Sequence, residues 1–494
     1  MKAIGFNNFR KFEIFPKIPM GNITIFVGGN NSGKSTTVKA IISVLAFLRN
    51  ARFYASGNAK QLRNVHFYFN QDPYAHIGTF ARAKCNQNDR TDLSFEIQLE
   101  DYNFSINLNG EDCDENSTYA KVERIVLRDL STLFEFDINI KEDSVAFSFN
   151  NNIKLFENND NYISMVKKIN EKEEKGDETE RLKEMLFGKY PIVDEKLEFK
   201  AKLSEVYSKR RMIGGPLISS IFFNSSYLYL NTVEGKEDNS KIKELNRIVR
   251  NHMFRLSSRL DSLLWNSSLV EYIYAHAASQ KVLYNATEND YLSKTVHEFA
   301  ELREEKDSDA LEFVRKWMVE FSIGNDFKLE TIGGEAHTFE IVDFDGKRAH
   351  LADKGMGTIQ LMILLLRIAI IINDRKNIRY RTPVTVIVEE PEQNLHPQKQ
   401  SQLIDFFTNV SDVYGVKFII ETHSEYLVRK SQVIVASKKY ADQDTLEKKC
   451  PFKVYYFPEY DIPYKMNYRT DGKFSNKFGS GFFDEATRLS FDLF

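Results

Sequence analysis

The chain has 494 residues, room for two or three domains, and its 42% hydrophobic content can supply sizeable cores. Its 67 lysines and arginines nearly balance 70 aspartates and glutamates. The strongly basic footprint of a dedicated nucleic-acid binder is therefore absent overall, although local patches stay open. Three scattered cysteines, Cys85, Cys113 and Cys450, have neither paired metal-ligand spacing nor the pattern of a disulfide framework, which suits a reducing compartment.

From Met1 to Asn7 there is no apolar core followed by a small-residue cleavage site, so no signal peptide is expected. Ile23-Thr24-Ile25-Phe26-Val27 reads as a buried strand, and Thr36 to Arg49, free of proline, as a helix. Between them lies Gly28-Gly29-Asn30-Asn31-Ser32-Gly33-Lys34-Ser35, which fits Gly-x4-Gly-Lys-Ser/Thr. Strand, glycine loop and helix are the context this motif requires, so a chance match is the weaker reading. The glycines let backbone N–H groups turn inward on a nucleotide phosphate, and the helix N-terminus adds partial positive charge. Lys34 would reach the β- and γ-phosphates, and Ser35 would offer its hydroxyl to Mg²⁺.

From Leu93 to about Phe156 the pattern changes to alternation, clearest in Leu93 to Leu99 and Leu133 to Ile140. This predicts an antiparallel sheet with one wet face. Between Asn158 and Lys189 charges dominate, most densely from Glu171 to Glu178, and a solvated loop or helix end outweighs a binding surface there. From Lys241 to about Phe321 the composition favours helices. Within them Arg247, Arg250, Arg255 and Arg259 sit near helical spacing; a solvated face or internal salt bridges outweigh a phosphate-contacting stripe.

From Phe327 the chain returns to strands, followed by the longest apolar run, Ile359 to Ile372, interrupted by Gln360 and Arg367. It reads as a buried helix too short to span a bilayer. Val384 to Val388 and Val416 to Ile420 then read as strands buried on both faces, as in a parallel sheet. No internal repeat is present. The expectation is a soluble cytoplasmic protein without a membrane partner.

Three further elements complete the chemistry that the glycine loop begins. The strand Val384 to Val388 runs into Glu389-Glu390-Pro391-Glu392. We assign Glu389 to the metal and Glu390 to orienting the attacking water. In isolation, a strand that merely stops in solvated glutamates is the competing reading. His423 lies just past the next buried strand, where α/β sheets gather ligand groups, and an imidazole there can hydrogen-bond the γ-phosphate. Ala352 to Gln360, with Lys354, Gly355, Gly357 and Thr358 ahead of the apolar helix, makes a second anion site. One loop already covers the phosphates in cis, so this second site is best explained if it closes over nucleotide held by another copy. A helix-capping turn is the bland alternative.

These elements stand in the order found in ABC-type ATPases, and the chain resembles ATPases of the OLD/SMC-like ABC superfamily. The shared pattern comprises Asn8-Phe9-Arg10-Lys11-Phe12, the loop Gly28 to Ser35, a variant signature Asp353-Lys354-Gly355-Met356-Gly357, and Glu389 to Pro397. It continues with the switch-like Glu421-Thr422-His423-Ser424 and the ending Gly481-Phe482-Phe483-Asp484-Glu485. Leu395-His396-Pro397 resembles the D-loop of these proteins, which crosses the dimer interface. The resemblance implies nucleotide contacts from Arg10, Gly28, Asn30, Asn31, Ser32, Gly33, Lys34, Ser35 and Thr36, with ATP and Mg²⁺ as cofactors. It also implies an α/β ABC-type head with a mixed or parallel core sheet and an antiparallel β-subdomain, interrupted by a mainly helical insert. Residues 1–157 and 326–494 would form the head and 158–325 the dimer or partner region.

The chain departs from the family pattern in three places. The signature lacks Leu-Ser-Gly-Gly-Gln, which leaves Thr358 in doubt as the hydroxyl donor. Glu389 stands where many ABC proteins have aspartate. Gln71 and Gln87 are both candidates for the Q-loop residue, without decisive flanks. OLD nucleases carry a Toprim domain after the ATPase, and the residues after His423 are too few for one, so this chain is not expected to cut nucleic acid itself. The layout resembles ATPase subunits of anti-phage systems such as Septu, PARIS and some retrons, where a separate nuclease or toxin is the effector. The main rival is a DNA-repair or DNA-clamping ATPase of the RecF/SMC kind, with DNA as direct partner. A non-hydrolysing nucleotide sensor is the second rival.

Overall fold

A computed structural model describes residues 1–51, 65–71, 75–130, 134–150, 196–208, 217–234, 256, 260, 263, 270–275, 279–285, 287–288, 290–304, 308–377, 384–480 and 482–492. The charged stretch 158–189 and the four arginines Arg247, Arg250, Arg255 and Arg259 lie outside the described residues. Two compact units interleave along the chain: Met1–Pro19 with Thr36–Ser267, and Met20–Ser35 with Ser268–Phe494.

The first unit holds β1 (Ala3–Phe9), β2 (Phe12–Pro19), β4 (His66–Tyr68), β5 (Asp92–Leu99), β6 (Tyr102–Asn109), β7 (Tyr119–Asp129), β8 (Phe134–Asn139), β9 (Ser144–Asn150) and β10 (Lys196–Lys202). They form one nine-stranded sheet in the order β10-β9-β8-β7-β6-β5-β1-β2, with β4 beside β7. The expected alternation is present: in β5, Leu93, Phe95, Ile97 and Leu99 are buried while Ser94, Glu96 and Gln98 are half-buried. The antiparallel register sets Phe95 opposite Ile106 and Ile97 opposite Phe104, so apolar pairs line one face.

Residues 1 to about 50 read from sequence as one strand–loop–helix core. Instead the hairpin β1–β2 joins this antiparallel sheet through β5. The cause is aromatic: Phe6 stacks on Phe15 at 4.3 Å, and Phe9 meets Phe95 edge-on at 5.2 Å. The range expected to be mainly helical also contains β10, which pairs with β9. Helix α1 (Lys34–Asn50) places Phe47 on Phe67 at 5.2 Å, and α2 (Leu217–Glu234) sets Phe222 edge-on to Phe136 at 5.1 Å.

The second unit is built on six strands: β3 (Ile23–Gly28), β11 (Val270–Ile273), β16 (Thr385–Glu389), β17 (Lys417–Thr422), β18 (Phe452–Phe457) and β19 (Tyr464–Met466). Their order is β11-β16-β17-β3-β18-β19. Every pairing except β18–β19 is parallel. Val386, Ile387 and Val388 of β16 and Phe418, Ile419 and Ile420 of β17 are buried, as continuous apolar strands in a parallel sheet require. A smaller antiparallel sheet contains β12 (Tyr284–Asn285), β13 (Asp326–Ile332), β14 (Ala336–Val342) and β15 (Arg348–His350). The unit's longer helices among the described residues are α3 (Tyr291–Glu304), α4 (Ser308–Glu320), α5 (Met356–Asn377), α6 (Pro397–Tyr414) and α7 (Glu425–Ser437). Trp317 of α4 meets Phe406 of α6 edge-on at 4.8 Å.

Helix α5 is longer than its apolar run suggested. Met356–Asp374 is long and apolar enough to cross a membrane, but 83% of that window is buried inside the protein, so it is a core helix by packing rather than by length. Its Arg367 is buried and bonded to both Glu271 of β11 and Glu298 of α3. Together the two units give the expected α/β class, with a parallel core sheet and an antiparallel β-subdomain.

Candidate functional site

β16, β17 and β3 are parallel neighbours, and their C-terminal ends bring the chemistry together. Glu389 pairs in register with Glu421, and Thr422 with Val27. Crevices outside the carboxyl ends of parallel strands are where such sheets bind ligands.

The loop after β3 is shaped by its backbone. A side chain at Gly28 would collide with the Phe457 carbonyl and crowd Ser32 Oγ, so only glycine fits. Asn31 and Gly33 take positive φ, 57° and 105°, which turns the chain tightly before α1 begins at Lys34. Gly29, Asn30 and Asn31 are exposed and Ser32 is buried.

Lys34 is 3% exposed and donates to the carbonyls of Gly28 and Gly29 at 3.1 and 3.0 Å. Its Nζ also lies 3.1 Å from His423 Nε2. Burial holds the ammonium below its ordinary pKa, against the pull of Glu421, Glu390, Glu392 and Glu389. Burial and the Lys34 charge hold the His423 imidazole down as well, against Glu390. A neutral imidazole offers a lone pair, so Lys34 donates and Nε2 accepts.

The acidic residues divide the site between them. Glu390 has φ +44°, and its amide donates to the Glu421 carbonyl at 2.7 Å. Its carboxylate accepts from Gln393 Nε2 and lies 3.7 Å from His423 Nε2. A left-handed non-glycine residue is strained and persists where surroundings over-determine it, here on the residue assigned to the water. Glu392 is buried and accepts from the His423 amide at 2.7 Å, and burial pushes its carboxyl up. Glu389 accepts from the Tyr272 hydroxyl at 2.7 Å and the Ala275 amide at 3.3 Å, turning toward the outer strand β11. Glu421 is 2% exposed and accepts from Ser35 Oγ at 2.5 Å. Ser35, assigned with Glu389 to the metal, is thus bonded to a different carboxylate.

Lys354, Gly355, Gly357 and Thr358 lie where α5 begins. The Gly355 carbonyl accepts from the amides of Thr358 at 2.8 Å and Ile359 at 3.3 Å, and Lys354 pairs with Asp343 at 2.5 Å. A side chain at Gly357 would collide with the Asn394 carbonyl, so the signature turn packs directly on the loop that carries Glu390 and Glu392. His396 caps α6, its Nδ1 accepting from Gln398 at 3.5 Å. Arg10, Thr36, Gln71 and Gln87 belong to the first unit. There Arg10 occupies the β1–β2 turn, with its amide bonded to Ala83 at 2.8 Å and its pKa lowered by burial and by Arg82.

The residues fit a nucleotide with a divalent cation. Ser32 Oγ, Glu421 Oε2 and Glu392 Oε2 are buried without a hydrogen-bond partner. Among the described residues no group of three or more His, Cys, Asp and Glu side chains could hold a metal alone. Mg²⁺ suits such a site, because it is bound through one or two carboxylates plus substrate phosphates.

Sequence reasoning missed Glu421, Glu392, Gln393 and Tyr272. The first three stood inside the quoted motifs, beside residues that drew the assignment. Tyr272 carried no signal, because β11 is short and half polar.

The family described as AAA ATPase domain matches residues 1–428, most of the chain. The chain belongs to this family. The match ends within α7, so the P-loop, Glu389 to Asn394 and His423 of this AAA ATPase domain all fall inside it. No relative among curated proteins matches. Solved structures similar to the chain include an Smc head domain with an extended coiled coil, bound to the C-terminal domain of ScpA, from Pyrococcus furiosus. It is 12% identical with a TM-score of 0.35, over 100% of this chain and 98% of that one. An SmcHead bound to the C-winged helix domain of ScpA is 10% identical, TM-score 0.38, over 98% and 99%. The SMC head domain from Thermotoga maritima is 8% identical, TM-score 0.32, over 95% and 98%.

Proposed function

We propose that this AAA ATPase domain binds ATP with Mg²⁺ at Gly28 to Ser35, hydrolyses it, and uses the cycle to control association with a second copy and an effector. The observation that carries the reading is the Lys34–His423–Glu390 cluster at the ends of three parallel strands. The loop amides and Lys34 would hold the phosphates. Ser35 would hold the cation together with a carboxylate from the ends of β16 and β17. When bound, Mg²⁺ neutralises charge on the phosphate oxygens.

Glu390 would orient a water and take its proton, held in place by the Gln393 side chain and its own left-handed turn. Neutral His423 accepts from Lys34, so the pair can re-partner when a γ-phosphate competes for the ammonium. That makes the histidine a reporter of which nucleotide is present. Glu390→Gln is expected to lower phosphate release by about a hundredfold or more while ATP still binds. Unchanged turnover in that variant would sink the assignment.

Lys354, Gly355, Gly357 and Thr358 would close over ATP held by a second copy, so ATP adds interface energy that hydrolysis removes. We further propose that residues 158–325 hold the partner, and that the output is control of a separate nuclease or toxin in anti-phage defence. This last step rests on family resemblance alone. Co-expression with the neighbouring genes, followed by native mass spectrometry with and without ATP, tests it. A stoichiometric co-purifying nuclease supports effector control; a complex holding DNA alone favours the clamp.

A further inference from the structure

We infer that Glu421 is the carboxylate that faces the divalent cation beside Ser35, while Glu389 is tied to β11 through Tyr272. The inference rests on the ATP–Mg²⁺ reading above and names the ligand group within it. Ser35 carries the hydroxyl that the glycine-loop motif directs at the cation, and that hydroxyl donates to Glu421 Oε1 at 2.5 Å. The Glu421 side chain is 2% exposed and its second oxygen has no hydrogen-bond partner. A buried carboxylate oxygen without a partner is costly, and a cation at the Ser35 hydroxyl would satisfy it.

Glu389 is placed differently on two counts. Its Oε2 is already engaged by the Tyr272 hydroxyl at 2.7 Å and the Ala275 amide at 3.3 Å. The sheet order β11-β16-β17-β3 also sets Glu389 two strands from the glycine-loop strand and Glu421 only one. At a strand spacing of about 4.8 Å, that is roughly 10 Å against 5 Å across the sheet. Tyr272 then acts as a positioning residue: it fixes Glu389 as an outer wall of the site, next to Glu390.

The test uses the full chain with Mn²⁺ as probe. Mn²⁺ affinity of the ATP-bound protein is measured by electron paramagnetic resonance, and ATP affinity is measured separately in EDTA. Glu421→Gln is expected to lower Mn²⁺ affinity by about tenfold to a hundredfold, while ATP affinity in EDTA does not fall. Glu389→Gln should lose less. Glu421→Asp keeps the charge and should retain part of the affinity, which separates ligand loss from misfolding; thermal melting of each variant checks the fold directly. Wild-type Mn²⁺ affinity in Glu421→Gln, or a larger loss in Glu389→Gln, overturns the inference. A wild-type protein that binds no ATP in either condition overturns the ATP reading, and this inference with it.

Discussion

Glu421 sits in a setting that works against its own charge. Burial pushes its carboxyl up to about 7, the Ser35 hydrogen bond pulls it down, and the charge of Glu389 adds to the push. The sign for stability follows from the protons bound. Between the ordinary carboxylate value and about 7 the folded protein holds a proton on Glu421 that the unfolded chain has lost. Stability contributed by neutral Glu421 is therefore full at low pH and falls as pH rises through that window, by up to about 3 kcal/mol. Glu421→Gln removes the titration, so the ligand-free variant should melt higher than wild type at pH 8 and much like it at pH 4. Equal melting differences at both pH values would show that folding does not shift the Glu421 carboxyl from its ordinary value.

At the scale of elements, α5 ties the site to the core of its unit. Its first turn abuts the Glu389–Leu395 loop through Gly357, and its middle holds β11 and α3 through Arg367. Gly357→Ala must displace the Asn394 backbone, whose own φ of +59° resists movement. We expect a loss of about 1–3 kcal/mol and a fall in turnover larger than the stability change explains, because the displaced loop carries Glu390. Denaturant unfolding and phosphate release on the same sample separate the two effects. Arg367→Met removes the guanidinium from Glu271 and leaves Glu298 with only the Lys294 ammonium at 3.8 Å. These side chains are 27% and 30% exposed, which puts the expected cost at about 2–3 kcal/mol, below that of a fully buried pair. Since Glu271 neighbours Tyr272, this variant should also loosen β11; faster amide exchange at residues 270–273 would register it.

At the scale of the whole molecule, the proposed cycle predicts a mass change. Glu390→Gln with ATP and Mg²⁺ should double in mass by light scattering relative to the nucleotide-free protein, and EDTA should reverse it. A mass that ignores ATP removes the second copy from the mechanism.

The glycine loop, the carboxylates after β16 and the histidine after β17 are legible in the sequence because each is local. A continuous Val/Ile run, a glycine at a fixed offset and an acidic terminus are short-range facts of the chain, and they determined the nucleotide chemistry and the parallel core. What the sequence leaves open is pairing over distance. Ser35 and Glu421 lie 386 residues apart, and their hydrogen bond exists only because β17 packs in register against β3. The hairpin β1–β2 adjoins the glycine loop in sequence yet belongs to the other unit, drawn there by an aromatic cluster no local pattern reveals. β11 is too short and too polar to declare itself, so Tyr272 and its hold on Glu389 emerged only with the fold. Local motifs specify which groups are present; strand order and register decide which of them meet, because a carboxylate acts on what lies within hydrogen-bond reach.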